Sequence, residues 1–196
     1  MDSKTMLEQA SWIGKMLFLR GKVAGSAANM SFICEDKLYI TSSGGCFGNL
    51  TSEDFSVLSL EGKLLSGRKP SKELPLHRIL YEKDSNIKAV LHTHSFYATL
   101  WSMEKHVNEA DCVPPATPYL KLKLGTVGLV DYEKPGSAEL FAAFRKVVKD
   151  SDGYILKNHG PVVGGKNLLD AFYILEELEE SCHIAYNLRH FPPQGI

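Results

Sequence analysis

Cysteine is scarce in this 196-residue chain, and the four present, Cys34, Cys46, Cys112 and Cys182, are scattered with no Cys-x-x-Cys. That spacing offers neither a zinc knuckle nor a disulfide frame, so the thiols read as reduced, in a cytoplasmic protein. No apolar run approaches the roughly 20 residues of a membrane helix. The start, Met1-Asp2-Ser3-Lys4, lacks the basic-then-apolar layout of a signal peptide. Neither sign of charge dominates: the formal net charge is -1, which argues against a surface built for nucleic acid or anionic membrane. Internal repeats, low-complexity tracts and charge blocks are missing too. What remains is an ordinary globular balance, 44% hydrophobic and 23% charged, in a length that suits one domain spanning residues 1–196.

Hydrophobic spacing divides the chain into helices and strands. Leu7, Ala10, Ile13 and Leu17 share one face of a helix from about Ser3 to Arg20, which Gly21 stops. Met30 to Cys34 and Lys37 to Thr41 form a hairpin around Glu35-Asp36, and residues 57–60 and 63–65 form a second around Glu61-Gly62. A helix over 73–82 carries Leu76, Ile79 and Leu80. Residues 87–94 read as a buried strand and 96–104 as a short helix, with further strands at 127–130 and 154–157. Ser137 caps a helix striped by Leu140, Phe144, Val147 and Val148. The last helix, about 167–188, stacks Leu168, Ala171, Leu175, Leu178, Cys182 and Ala185. Residues 108–118, rich in proline, form a loop. Early hairpins among helices predict an α/β fold: one three-layer α/β/α sandwich on a mixed, mostly antiparallel sheet.

The strongest chemical signal is Leu91-His92-Thr93-His94. Residues two apart on a strand share a face, so His92 and His94 can converge on one ion while Thr93 points away. His159, in Asn158-His159-Gly160-Pro161 at the end of another strand, is a third candidate. Three imidazoles with an open or carboxylate-filled fourth position recur in catalytic zinc sites. The competing reading is ordinary core or turn histidine, and His77, His106, His183 and His190, without ligand spacing, are given that reading.

Two small-residue loops could bring backbone N–H groups to an anion: Gly25-Ser26-Ala27-Ala28-Asn29 and Thr41-Ser42-Ser43-Gly44-Gly45. Each is also consistent with a plain turn. Pro70-Ser71-Lys72-Glu73 opens a helix. Ser71 either caps it or meets a phosphate, Lys72 either faces solvent or an anionic group, and Glu73 either supports the first turn or serves as a base.

In order along the chain, these segments resemble the class II aldolase/adducin family, which includes sugar-phosphate aldolases and 4-epimerases. The resemblance implies zinc, or another divalent metal, on His92, His94 and His159. Glu73 would be the acid/base and a further ligand in the resting state. It implies phosphate binding by Ser26, Asn29, Ser43, Gly44 and Ser71, and a homotetramer with sites near subunit interfaces. Within the family, residues 69–73, 75–78, 113–115, 158–163 and 176–180 look like those of 3-oxo-tetronate 4-phosphate decarboxylases. Two positions depart from the family pattern: Ala28 stands where glycine is typical, and Lys72 where aldolases carry serine.

The resemblance therefore implies decarboxylation of a 3-oxo-tetronate 4-phosphate through a metal-stabilised enediolate, with dihydroxyacetone phosphate as product. Glu73 would deliver the proton, Lys72 would hold the departing carboxylate, and Tyr119 would handle a proton or simply pack in its loop. A sugar-phosphate aldolase or epimerase differs only in the bond broken. A non-catalytic adducin-like module is the third reading, and the retained histidines and Glu73 weigh against it.

Overall fold

The computed structural model describes residues 2–192. Helix α1 (Ser3–Leu19) leads into strands β1 (Ala28–Cys34) and β2 (Lys37–Thr41). The hairpin between them turns on Glu35 and Asp36, both left-handed (φ 51° and 56°), the conformation a two-residue primed turn needs. Strands β3 (Phe55–Ser59) and β4 (Leu64–Ser66) follow, then α2 (Leu74–Lys83), β5 (Ala89–Thr93) and α3 (Phe96–Ser102). The chain continues through α4 (Pro118–Leu124), β6 (Gly128–Val130), α5 (Ala138–Val147), β7 (Gly153–Leu156), β8 (Gly160–Gly165) and α6 (Leu168–His190). No described helix is long and apolar enough to cross a membrane.

The strands form one sheet in the order β4-β3-β2-β1-β5-β8-β7-β6, antiparallel at every pairing except β6 with β7. Alternation along the strands sorts side chains into two layers. Met30, Phe32, Ala89 and Leu91 pack with α1, α3, α4 and α6, while Val90 packs with Leu76, Ile79, Leu80, Leu140 and Phe144 of α2 and α5. The expected three-layer α/β/α sandwich is therefore the fold. Asn29, Ser31, His92 and His94, one step out of phase with the first set, fall on the α2 side.

Two elements differ from the sequence expectation. Residues 118–124 are helical, beyond the proline-rich loop, with Pro118 in the first turn, where its missing N–H leaves no bond unmade. Residues 160–165, to which the sequence reading assigned no element, are strand β8, fully buried between β5 and β7. Its glycines have a packing reason: a Cβ on Gly165 would come within 2.4 Å of the Ala171 backbone of α6.

Gly160 is the tightest of these positions. Its φ is +149°, and a Cβ there would lie 2.1 Å from the Thr93 carbonyl oxygen, between His92 and His94 on the neighbouring strand. Gly160→Ala should cost about 3 kcal/mol, from backbone strain and overpacking together. Urea unfolding measures this, and an unchanged midpoint would show that the β5–β8 spacing is more yielding than the geometry requires.

Candidate active site

Three separate segments build one cluster. The α2 start supplies Glu73, β5 supplies His92 and His94, and the β7–β8 turn supplies His159. Asn158, left-handed at φ 56°, makes that turn. One donor atom from each of the four lies within 4.8 Å of the others. Glu73, His92 and His159 are no more than 4% exposed, and His94 is the open member, facing a cleft.

The distances are those of groups arranged around a common point. His92 Nε2 is 3.2 Å from His159 Nε2, 3.4 Å from Glu73 Oε2, and Glu73 Oε1 is 3.3 Å from His159 Nε2. Donors around a tetrahedral zinc, with Zn–N bonds of about 2.0–2.1 Å, are separated by about 3.3 Å. His92 Nδ1–H donates to the Pro161 carbonyl at 2.8 Å, which leaves the Nε2 lone pair directed into the cluster. Glu73 Oε1 is buried and, among the described residues, has no hydrogen-bond partner. A divalent cation fits this set: it would satisfy the orphaned oxygen and the facing imidazole nitrogens at once.

Electrostatics agree. Burial pushes His92 down to about 3 and His94 down to about 4, so both rings are neutral and able to ligate at neutral pH. Burial by itself would raise the Glu73 carboxyl. The adjacent His159 and His92 rings and the Asn29 amide outweigh it, and hold Glu73 well below the usual carboxylate range.

Beside the cluster lies a cleft of about 270 Å³, lined by Ser26, Asn29, Ser43, Gly44, Ser71, Lys72 and Glu73 among others. All five residues expected at a phosphate therefore reach one cavity. Backbone bonds lace its walls together: Ser43 N–H donates to Lys69 O and Ser71 N–H to Thr41 O, at 2.9 and 3.1 Å. Ala28 opens β1 in regular pairing with Thr93. Ser71 does not cap α2 in the usual way. Its hydroxyl accepts from Glu73 N–H at 3.3 Å, and Glu73 itself occupies the cap position. The Lys72 stem lies over Gly136, and its ammonium, at the cleft, is 3.4 Å from the Pro135 carbonyl.

Tyr119 is not brought to this cleft. It sits in the first turn of α4, 60% exposed, and is neither packed nor in a loop. The sequence reading gave His77 an ordinary structural place. It is fully buried on the cluster side of α2, bonded to Asn29 and Ser31. Its sequence signals were its place in the decarboxylase-like stretch 75–78 and its position four residues after Glu73, one helical turn on.

Comparison with known proteins places the chain. The Class II Aldolase and Adducin N-terminal domain family matches residues 8–186. The 3-oxo-tetronate 4-phosphate decarboxylase of Pectobacterium atrosepticum is 40% identical over 90% of this chain and 81% of its own. The L-fuculose phosphate aldolase of Methanocaldococcus jannaschii is 37% identical over 94% of this chain and 95% of its own. The crystal structure of YgbL from Klebsiella pneumoniae superposes with a TM-score of 0.93 at 35% identity, covering 99% of this chain and 94% of that one. The matched span contains every residue of the histidine–carboxylate cluster and of the cleft beside it, and the chain belongs to the class II aldolase and adducin N-terminal domain family.

Proposed function

We propose that the whole chain works as one such domain and decarboxylates a 3-oxo-tetronate 4-phosphate, giving dihydroxyacetone phosphate and carbon dioxide. The observation that carries this reading is Lys72: a cation at the mouth of a cleft that joins anion-binding loops to the histidine–carboxylate cluster. The 40% identity to a decarboxylase of that substrate supports it.

His92, His94 and His159, with Glu73 in the resting state, would hold the cation, most simply zinc, which would supply a Lewis acid for the electron pair left by bond cleavage. Ser26, Ser43 and Gly44 of the small-residue loops, with Ser71, bind the phosphate and so fix the substrate's length along the cleft, while the Asn29 amide is engaged by Glu73 and His77. Lys72 pairs with the carboxylate. The bond from that carboxylate carbon to C2 breaks, its electrons pass into the C2–C3 enediolate, and carbon dioxide leaves. A proton drawn from water is then delivered to C2. Glu73 Oε2 already accepts from Asn29, so Oε1, which has no partner, is the oxygen that carries this proton.

The same reading carries a cytoplasmic homotetramer with interfacial sites. Phe96, Tyr119 and Leu122, 63%, 60% and 79% exposed, are surfaces such an assembly would cover. Sugar-phosphate aldolysis is the second reading, favoured by the 37% identity to an L-fuculose phosphate aldolase. Substrate turnover read as carbon dioxide against aldehyde separates the two, and a parent enzyme that releases only aldehyde would leave the aldolase reading standing.

Lys72→Met keeps the stem and removes the charge. It should weaken use of the acid substrate by about 1.5–3 kcal/mol, the worth of a charge-assisted contact. A neutral sugar phosphate gains nothing from the ammonium and should lose less. Steady-state kinetics on both substrates is the measurement. Equal losses, or none, would remove Lys72 from substrate selection.

A further inference from the structure

Glu73 is the end of a buried chain of hydrogen bonds. Asn29 Nδ2 is 2.9 Å from Glu73 Oε2, and Asn29 Oδ1 is 2.5 Å from His77 Nε2. His77 Nδ1 is 2.7 Å from Ser31 Oγ, which is 2.7 Å from the Tyr81 hydroxyl. Asn29, Ser31 and His77 are at most 5% exposed. The sheet register makes the chain: Asn29 and Ser31 share the β1 face that meets α2, where His77 and Tyr81 lie one turn apart.

The carboxylate sets the direction of every link. It only accepts, so Asn29 presents its NH₂ to Glu73 and its carbonyl to His77. His77 Nε2 must then carry the ring proton, which leaves Nδ1 an acceptor. Ser31 O–H therefore donates to Nδ1, and Tyr81 O–H donates to Ser31. Burial holds His77 down at about 4, so no second ring proton reverses the order at neutral pH. Among the described residues, the Asn29 amide has only the Glu73 and His77 bonds. Turned over, it would set its carbonyl against the carboxylate.

We propose that Tyr81, Ser31 and His77 are positioning residues: they lock the Asn29 amide and, through it, hold Glu73 with Oε2 occupied and Oε1 turned toward the histidines. The proposal deepens the reading of Glu73 as proton carrier and rests on it. Groups behind the residues of a metal site commonly contribute about 10–100-fold in affinity or activity. These three touch neither the cleft nor the cation, so their effect should fall on kcat and not on KM.

The test has two arms. In kinetics on 3-oxo-tetronate 4-phosphate, His77→Leu should lower kcat about 10–100-fold, with KM within about twofold and metal content unchanged. His77→Gln, whose amide can still donate to Asn29 Oδ1, should recover most of the loss. Losses that are equal in both variants and track melting temperature would overturn the proposal, as would an unchanged kcat in His77→Leu. The second arm needs no substrate. Nitrogen NMR of histidine-labelled, metal-free protein should find His77 protonated at Nε2 and bare at Nδ1 at neutral pH. The opposite tautomer would overturn the relay even if the substrate assignment stands. Should His77→Leu fail to fold, Ser31→Ala reads the same link: kcat should fall at constant KM and the Nδ1 signal should shift, and neither change would sink the idea.

Discussion

Glu73→Gln should fold, keep its metal and lose about 10²–10⁴-fold in turnover. The amide matches the carboxylate in shape, and its oxygen can still accept from Asn29, so the α2 start has no reason to rearrange. What it cannot do is carry a proton at the position of Oε1. The loss should sit in kcat, with KM little changed, because the loops and the lysine proposed to hold the substrate are untouched. Melting temperature belongs in the same experiment, since Glu73 also occupies the helix cap position. A variant that turns over at the parent rate would take Glu73 out of the chemistry.

Metal removal should be the more drastic change. Protein purified without chelator should contain about one divalent ion per chain, because four donors converge within 4.8 Å. Exhaustive chelation should abolish activity, and zinc should restore it. A series of other divalent ions would identify which the site prefers. His92→Ala removes a fully buried member of the proposed ligand set, so metal affinity should fall by more than the roughly 10–100-fold that outer partners contribute. The chelated protein should also melt earlier, because an ion that binds only the folded chain stabilises it by mass action. A non-catalytic adducin-like module would purify without stoichiometric metal, and His92→Ala would change nothing in it.

Much of this site was legible from sequence because its signals are local. The two-residue spacing of His92 and His94 reports a shared strand face directly, and Glu73 opens an amphipathic helix. The predicted stripes of α1, α2 and α6 are the buried ones, save that Leu7 at the start of α1 is half-buried. β8 escaped because a strand normally announces itself through branched and aromatic side chains. Residues 160–165 offer two valines among glycines and a proline, residues chosen for close approach to α6 and β5. The Asn29–His77–Ser31–Tyr81 chain escaped for another reason: its partners lie about fifty positions apart, and only the β1–α2 contact unites them. Tyr119, which the resemblance offered as a proton handler, lies at the surface of the single chain and away from the cleft.

His77 has a cost that appears only when the solution is acidified. Unfolded, its imidazole takes up a proton near pH 6.5; folded, it refuses one until about pH 4. Between those values the unfolded chain binds more protons than the native one, so stability falls with every step down in pH. The sign is that of a base whose native pKa is depressed: its contribution is intact above pH 6.5 and is withdrawn progressively as pH falls toward 4. The full withdrawal is about 3 kcal/mol for this one ring, a sizeable share of a typical domain's margin. The residue that aims the Asn29 amide thus also sets an acid limit on the fold, well above the pH at which Glu73 itself would titrate.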